Sequence, residues 1–378
     1  MFDANGKSKP VRVLQVIGIV CGGGVENVIM NYYRHMDRGK VQFDFIIDGK
    51  DKSILDDEIQ ALGGCVYHVT SYKENIFRYV YEIYRILNNH KYEIIHDNMN
   101  TLSLFSLFPA WLSGLRVRII HNHTTNAIAD GEKIKYIIKK ITRPLAPIFA
   151  NHYFACSRYA AEWMYGRKNI RGEVKIINNA IDTDRFAYSS NYRHLYRQKL
   201  NASESTVVIG HVGRMVPVKN HMFLLDVFSR YLQINPHAIL VLIGDGPLRQ
   251  QIEQRARDLG VDDKVYMLGL IKEVNEWYSA MDVFVLPSMY EGLSVVTVEA
   301  QANGLPICVS EAVPTEAVFN ANVMRLPLST ADIWCRAIID YVRLGRIVDN
   351  STIKEAGFSI DIEVKKLECW YLKNIKND

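Results

Sequence analysis

Two glutamates eight positions apart, Glu291 and Glu299, are spaced so that both could grip one extended ligand. Glu291 follows the apolar run Val283 to Leu286, which Pro287 stops and which predicts a buried parallel strand. It therefore lies in a loop at the carboxyl end of a strand, where open α/β sheets bind ligands. Glu299 lies two turns into a helix predicted over Leu293 to Ala302, up to about 12 Å from Glu291 if the interval is helical. A sugar at one end of a ligand and a ribose at the other would reach both carboxylates; the alternative is two solvated surface charges.

A glycine-rich loop follows the first predicted strand, Val11 to Ile19. Cys21 to Glu26 reads C-G-G-G-V-E and opens the next predicted helix. Glycines let a backbone approach a ligand closely, and the free N–H groups of a helix N-terminus bind phosphate. The loop is not the G-x-G-x-x-G dinucleotide fingerprint. Taken alone, it fits a tight turn as well as a phosphate site.

Two histidines stand at the end of the strand predicted over Val117 to His121, in the run H-N-H-T-T. Near neutral pH an imidazole can donate a hydrogen bond to a sugar hydroxyl or a phosphate. His121 and His123 are therefore candidate ligand contacts, with a structural role in the core as the alternative for either.

The length and composition indicate a soluble globular protein of two domains. A chain of 378 residues is too long for one ordinary core, and 48% hydrophobic with 23% charged residues is typical of soluble proteins. Met1 to Pro10 contains no apolar signal-peptide core. The most apolar stretch, Leu102 to Leu115, is shorter than the ~20 residues that cross a bilayer. It predicts a buried helix, with an exposed hydrophobic patch as the alternative.

The six cysteines are scattered without C-x-x-C spacing, which indicates a reducing, cytoplasmic environment and no structural zinc. The net charge is +4, and much of the basic excess lies in Gly131 to Arg143. As a helix, this segment places Ile134, Ile137, Ile138 and Ile141 on one face, flanked by four lysines and Arg143. Such a helix can lie on an anionic membrane surface; alternatively the stripe faces the core and the basic side is solvated. No nucleic-acid motif accompanies the basic residues, so no nucleic-acid partner is expected.

Strands and helices alternate through both halves, which predicts an α/β protein with two doubly wound domains. The polar stretch 187–205 is the predicted link. We expect residues 1–186 to form an acceptor-side domain and 187–358 a donor-binding domain. A terminal helix over Ile360 to Leu372 is expected to carry residues 359–378 back to the first domain.

Three motifs together resemble the family 4 retaining glycosyltransferases, which have the GT-B fold of two Rossmann-like domains facing a cleft. They are E-x7-E at Glu291 and Glu299 followed by G-L-P, G-R-x4-K-N from Gly213 to Asn220, and the G-G-x-E loop ending at Glu26. The chain departs from the family twice. It has Gly292-Leu293-Ser294 where G-F-G is commoner, and Ala180 replaces the glycine of an N-G-I-D-like element.

The resemblance implies a role for each matching residue. Glu291 and His123 contact the donor sugar, Glu299 holds the ribose hydroxyls, and Arg214 with Lys219 holds the diphosphate. The chemistry requires such cations, because the leaving diphosphate gains negative charge as the glycosidic bond breaks. The donor-binding set implied is Gly23, Gly24, Arg214, Lys219, Gly244, Gly246, Leu270, Glu291, Gly292, Leu293, Ser294 and Glu299; the acceptor-side set is Glu26, His121 and His123.

The resemblance implies a retaining transfer from a nucleotide diphosphate sugar, a UDP-sugar by family frequency. The acceptor would be a glycan or lipid-linked sugar in cell-surface or exopolysaccharide assembly, reached from the cytoplasm or the inner face of the membrane. No cofactor or metal is expected, because the one D-x-D, Asp182 to Asp184, lies in the N-G-I-D-like element. Three alternatives are a GT-B-type nucleotide-sugar epimerase, a non-catalytic nucleotide-sugar-binding subunit and an NAD-linked oxidoreductase.

Overall fold

The computed structural model describes residues 9–20, 23–124, 133–169, 173–347 and 349–376. The chain divides into two compact units, residues 1–180 with 360–378, and residues 181–359. Residues 181–186, which we expected in the first domain, belong to the second unit. Ile181 forms a bridge with Ser359, and the Asn303 side-chain amide donates to the Phe186 carbonyl at 2.9 Å. These contacts hold the segment on the second unit.

The first unit is built on a seven-stranded sheet in the order β3-β2-β1-β4-β5-β6-β7, with every pair parallel. Its strands are β1 (Val11–Ile17), β2 (Val41–Asp48), β3 (Val66–Val69), β4 (Ile94–Asp97), β5 (Val117–Asn122), β6 (His152–Ala155) and β7 (Val174–Ile176). Its helices are α1 (Gly24–His35), α2 (Asp56–Ala61), α3 (Ile76–Asn89), α4 (Leu104–Leu112), α5 (Lys133–Phe149), α6 (Arg158–Asn169) and the terminal α14 (Ile360–Lys376).

The inner strands of the first unit's sheet are largely buried, whereas the edge strands β3 and β7 are only partly buried. All eight residues of β2 are buried, as expected for a parallel strand covered on both faces. Helix α14 packs on this unit: Tyr371 is fully buried with its ring 6.0 Å from that of Phe43, and the Trp370 ring lies 4.8 Å from Phe154. The helix runs four residues beyond the predicted end at Leu372.

The second unit has a six-stranded parallel sheet in the order β10-β9-β8-β11-β12-β13. Its strands are β8 (Val208–Val212), β9 (Ile239–Ile243), β10 (Val265–Gly269), β11 (Val283–Leu286), β12 (Ile307–Ser310) and β13 (Val323–Leu326). Its helices are α7 (Ser190–Lys199), α8 (His221–Leu232), α9 (Arg249–Asp258), α10 (Val274–Ala280), α11 (Val295–Ala302), α12 (Ala331–Leu344) and α13 (Asn350–Glu355).

The strand order reverses at one point in each sheet, between β1 and β4 in the first unit and between β8 and β11 in the second. Ligands of doubly wound sheets bind at the carboxyl ends of the strands beside such a reversal. In the second unit, the strands at the reversal lead into the loops of Arg214 and Glu291. None of the helices in the described ranges has both the length and the apolar content to span a membrane.

Candidate functional site

Lys219 and Glu291, predicted to serve one ligand, form an ion pair in the second unit. Lys219 closes the short 3-10 turn Pro217–Lys219 after β8, and its Nζ lies 2.6 Å from Glu291 Oε1. The side chains are only 18% and 10% exposed, so water screens their attraction less than at an open surface. The Met289 N–H also donates to the Val218 carbonyl at 2.8 Å. The two loops at the strand reversal are thus fastened to each other.

Arg214 is exposed in the loop that follows β8, five positions before Lys219. The loop therefore carries one exposed guanidinium and one partly shielded ammonium. Two fixed cations at the carboxyl end of a strand can neutralise the charge of a diphosphate, and a guanidinium can contact phosphate through two parallel hydrogen bonds. Glu291 holds the ammonium in place from the opposite loop.

Gly244 and Gly246 allow two loops of the second unit to approach closely. The Met215 N–H donates to the Asp245 carbonyl and the Gly213 N–H to the Ile243 carbonyl, both at 2.9 Å. A Cβ on Gly244 would lie 2.1 Å from the Gly213 carbonyl oxygen, and one on Gly246 2.6 Å from the Met215 carbonyl oxygen. The glycines therefore position the Arg214 loop, a requirement that exists without any ligand.

Gly244→Ala is expected to destabilise the second unit by more than about 2 kcal/mol, because its φ of +132° and its backbone clash both oppose a side chain. The matched control is Gly345→Ala, where φ is +72° but no atom in the described part of the chain lies within 4 Å of the added Cβ. That variant should lose only about 1 kcal/mol from backbone strain. Urea unfolding curves measure both losses; equal losses would show that the loops do not need this close approach.

Glu299 lies on α11 and is hydrogen-bonded by a residue that the sequence analysis did not select. The Tyr278 hydroxyl donates to Glu299 Oε2 at 2.8 Å. Burial raises the pKa of Glu299 to about 7, although the Tyr278 hydrogen bond and the charge of Arg185 both act to lower it. A carboxyl that titrates near neutral pH can accept from two ribose hydroxyls once it is ionised. No sequence signal marks Tyr278, because a buried aromatic residue in a helix is ordinarily core.

The predicted helix Leu293 to Ala302 begins two residues later, at Val295. Ser294 is the N-cap, and its buried Oγ accepts from Thr297 Oγ1 at 2.9 Å. Leu293 is 6% exposed, and Gly292 joins it to Glu291. Leu270, expected near the nucleotide base, follows β10 and is 77% exposed.

In the first unit, the candidate loop residues begin helix α1. Gly23 is the N-cap, with an extended backbone, and its N–H donates to Glu26 Oε2 at 2.8 Å. Glu26 thus closes the helix N-terminus as in a capping box. Among the described residues, none has an atom within 4 Å of a Cβ built on Gly24. The predicted loop residues Cys21 and Gly22 lie outside the described residues.

His121 and His123 are both buried, 3% and 9% exposed, with ring centroids 3.9 Å apart. His121 Nδ1 lies 3.0 Å from His96 Nε2, and His123 Nε2 lies 3.0 Å from Asn98 Oδ1. Burial lowers the pKa of His123 to about 3, so this ring is neutral at physiological pH. His96 and Asn98 were missed in the sequence, where a lone histidine in a strand is usually core. No three His, Cys, Asp or Glu side chains in the described ranges are placed to hold a metal ion.

The basic segment Gly131 to Arg143 lies mostly in α5, which begins at Lys133. Gly131, Glu132 and the side chain of the predicted stripe residue Ile134 lie outside the part of the chain that the structure describes. Ile137, Ile138 and Ile141 are 55%, 40% and 56% exposed, whereas Thr142 and Ala146 face the protein at 3% and 0%. The alternative of a core-facing stripe is therefore wrong for these three isoleucines. The face of α5 that packs against the rest of the protein is the opposite one, with the small residues Thr142 and Ala146. Nearby α4 buries Leu107 fully but exposes half of Trp111 and Leu112.

Two family sequence models match the chain. The model of "Glycosyltransferase Family 4" matches residues 22–185, and that of "Glycosyl transferases group 1" matches residues 193–328. EpsF of Bacillus subtilis (strain 168), assigned as a glycosyltransferase, is 34% identical over 344 residues, covering 90% of each chain.

A second relative is the Escherichia coli protein named UDP-Gal:alpha-D-GlcNAc-diphosphoundecaprenol alpha-1,3-galactosyltransferase. It is 25% identical over 302 residues and covers 76% of each chain. Among solved structures, Anabaena Alr3699/HepE in complex with UDP-glucose superposes with a TM-score of 0.80 at 18% identity, over 96% of this chain and 99% of that one. This likeness confirms the predicted GT-B fold of two Rossmann-like domains. With matches of this extent to relatives and to family models in both halves, the chain belongs to glycosyltransferase family 4.

Proposed function

We propose that the protein transfers a sugar from a UDP-sugar to a glycan or lipid-linked acceptor in polysaccharide assembly, with retention of anomeric configuration. The observation that carries the proposal is the pairing of Lys219 with Glu291 where the sheet order reverses, with Glu299 on the helix that follows. The names of the relatives support the substrates: one has a UDP-galactose donor and a lipid-linked acceptor, and the HepE complex holds UDP-glucose.

The reaction breaks the bond between the sugar C1 and the diphosphate and forms a bond from C1 to the acceptor oxygen on the same face. Arg214 and Lys219 stabilise the charge on the leaving diphosphate, and Glu299 accepts from the ribose hydroxyls. Glu291 and His123 orient the sugar. The acceptor proton passes to the departing phosphate oxygen, so no side chain is assigned as general base. The cations take the role of a metal, and we propose that transfer is metal-independent.

The substrate test is a screen of nucleotide sugars for thermal stabilisation, since a ligand that binds the folded state raises apparent stability. The best donor is then incubated with lipid-linked sugar acceptors in excess EDTA, and the anomeric configuration of the product is read by NMR. A product with the donor's configuration supports the proposal. Sugar epimerised without acceptor identifies an epimerase, binding without turnover identifies a binding subunit, and stabilisation by nicotinamide dinucleotide alone identifies an oxidoreductase.

We further propose that the first unit contacts an anionic membrane through α3, α4 and α5, a set we call the three-helix surface. Ile137, Ile141, Leu145 and Ile148 form an exposed stripe along α5, spaced as one face of a helix. Helices α3 and α4 add exposed apolar side chains beside it, with the exposed fractions Phe77 86%, Tyr81 59%, Tyr84 39%, Trp111 50% and Leu112 52%.

An apolar groove and the charge balance favour lipid as the occupant. Val80, Phe105, Phe108 and Leu145 are among the residues that line a wholly apolar groove between the three helices. The three helices carry seven Lys or Arg residues and one acidic residue, Glu82, which is already paired with Lys50 and Arg78. Apolar side chains bordered by cations match the interface of an anionic bilayer, where each nearby Lys or Arg contributes about 1 kcal/mol. A lipid-linked acceptor would be reached at the same interface.

The double variant Ile141→Glu/Ile148→Glu is expected to lower the affinity for vesicles of phosphatidylcholine and phosphatidylglycerol more than tenfold. Two exposed isoleucines that become partly buried in the bilayer contribute roughly 1 kcal/mol or more each to insertion. Co-sedimentation measures the affinity, and wild-type binding should weaken in high salt. The control is Ile234→Glu, which alters a 61%-exposed isoleucine of the second unit. Equal vesicle binding by wild type and double variant would contradict the three-helix surface.

A further inference from the structure

Six buried polar side chains of the first unit form one hydrogen-bonded chain, whose two ends, His121 and His123, lie in ring contact. We call it the histidine cluster: Gln15, Asn98, His96, His121, His123 and Tyr371. All are 9% exposed or less. Gln15 and His96 are paired neighbours on β1 and β4, so their side chains lie on the same face of the sheet. Tyr371 approaches that face from α14. The cluster therefore joins the terminal helix to the strand ends that carry His121 and His123.

The orientation of the Asn98 amide determines which ring nitrogen of His123 carries the proton. Asn98 Nδ2 lies 3.3 Å from the Val16 carbonyl oxygen and 3.2 Å from that of His96. Carbonyl oxygens only accept hydrogen bonds, so the atom facing them must be the nitrogen. Asn98 Oδ1 then faces His123 Nε2 at 3.0 Å and must accept from it. A neutral His123 consequently has its proton on Nε2 and a lone pair on Nδ1.

The same amide also sets which atoms donate and which accept in the other branch of the cluster. Asn98 Nδ2 donates to Gln15 Oε1 at 3.0 Å, which leaves Gln15 Nε2 to donate to the Tyr371 oxygen at 3.4 Å. The Tyr371 hydroxyl then directs its proton to His96 Nδ1, 2.6 Å away. His96 carries its proton on Nε2 and donates to His121 Nδ1 at 3.0 Å. The proton of His121 is thereby placed on Nε2.

The two branches end in complementary atoms. Burial lowers the pKa of all three histidines, so each ring is neutral and carries one proton. Within the described part of the chain, His121 Nε2 and His123 Nδ1 have no hydrogen-bond partner. One is a donor and the other an acceptor, on rings whose centroids are 3.9 Å apart. Leaving such buried atoms unsatisfied costs about 1–3 kcal/mol each. A hydroxyl group has the matching chemistry, because its oxygen can accept a hydrogen bond from the first atom while its proton is donated to the second.

We propose that Tyr371 is a positioning residue that acts through His96 to keep the proton of His121 on Nε2, so that His121 and His123 present a matched donor and acceptor to one hydroxyl of the transferred sugar. The inference rests on the proposed function for the identity of that hydroxyl. A water molecule offers the same chemistry, and the experiment separates the two sources. Tyr371 would thus influence the sugar contact from the terminal helix, although it lies far along the chain from every motif residue.

The test uses the full-length protein labelled with 15N-histidine, with each ring assigned by a single histidine substitution. In the wild type, His121 and His123 should each show one protonated nitrogen, Nε2, and a single tautomer. In Tyr371→Phe the His96 ring loses the hydroxyl that fixes its tautomer, so His121 should become a mixture of tautomers.

Addition of UDP-glucose to the wild type should shift the His123 Nδ1 signal as a sugar hydroxyl donates to it. The transfer rate of Tyr371→Phe should fall about tenfold, the effect of one hydrogen bond.

The matched control is Tyr32→Phe, which removes another buried tyrosine hydroxyl of the same unit, bonded to the Asn178 carbonyl at 2.8 Å. It should lower the melting temperature similarly but leave the histidine tautomers and the transfer rate unchanged. Unchanged tautomers in Tyr371→Phe would overturn the positioning role, whatever the enzyme's substrate. A His123 signal that does not respond to a bound UDP-sugar would identify water as the hydroxyl and overturn the sugar contact. Absence of transfer by the wild type would instead reject the proposed function, and the tautomer spectra would still decide the role of Tyr371.

Discussion

Lys219→Ala is expected to reduce kcat/KM for sugar transfer by about 100- to 1,000-fold, the effect of losing one fixed stabiliser of a developing anion. The ammonium is held 2.6 Å from Glu291 and is only partly exposed, so it is positioned before the diphosphate gains charge. The loss should appear mainly in kcat, because the charge on the leaving group grows as the bond breaks. Steady-state kinetics in excess EDTA measure it without contribution from added metals.

The control for this variant is Lys264→Ala, which removes a 38%-exposed lysine of the same unit whose nearest carboxylate lies 3.9 Å away. It should retain wild-type turnover. Glu291→Gln provides a second comparison, since it keeps the shape of the carboxylate but removes the charge that holds the ammonium. Wild-type turnover by Lys219→Ala in EDTA would show that the leaving-group cation has been assigned to the wrong residue.

Binding of UDP-glucose is expected to strengthen with rising pH, by up to tenfold per unit below pH 7, and to level off above it. The cause is Glu299, whose pKa is raised to about 7 by burial and whose ionised form is the one that we propose accepts hydrogen bonds from the ribose. UDP-glucose is the suitable probe because its phosphates have no ionisation in this range. Calorimetric titrations between pH 5 and pH 8 measure the profile.

Two variants test whether Glu299 causes this dependence. Glu299→Gln should flatten the profile, and Tyr278→Phe should move its midpoint to higher pH, because the Tyr278 hydroxyl stabilises the carboxylate. The pH dependence of folding stability is an independent check that the pKa of Glu299 is raised. The folded protein holds this proton more tightly than the unfolded chain, so this contribution to stability is lost as pH rises from the carboxyl's ordinary pKa to about 7, and the loss is complete above 7. Glu299→Gln should therefore gain more stability relative to wild type at pH 8 than at pH 5. A wild-type profile retained in Glu299→Gln would assign the titration elsewhere.

The sequence was most informative where local chemistry decides the structure. The run Val283 to Leu286 is a buried strand stopped by Pro287, as predicted, because an uninterrupted apolar run suits a parallel strand covered on both faces. The start of α11 was placed two residues early. Leu293 is apolar enough to continue a helical pattern, but Ser294 is the cap, and its hydroxyl bonds within the first turn.

Contacts between distant parts of the chain could not be predicted in this way. Tyr278 reaches Glu299 from the preceding helix, and Tyr371 reaches His96 across 275 positions. In sequence both tyrosines look like ordinary core residues, since only the fold determines where a buried hydroxyl finds its partner. The stripe on α5 was identified from its spacing, but which side it faces depends on the small residues Thr142 and Ala146 packing inward.

The bridge between Ile181 and Ser359 has a consequence for engineering. The Ile181 N–H donates to the Phe358 carbonyl at 2.9 Å, so the second unit starts and finishes at one place. The second unit is therefore an insertion between residues 180 and 360 of the first unit. Exchanging residues 181–359 for the corresponding part of a relative would need two joints only, at neighbouring backbone positions. Such a chimera would take the loops of Arg214, Lys219 and Glu291 from the relative, while the first unit kept the histidine cluster and the three-helix surface.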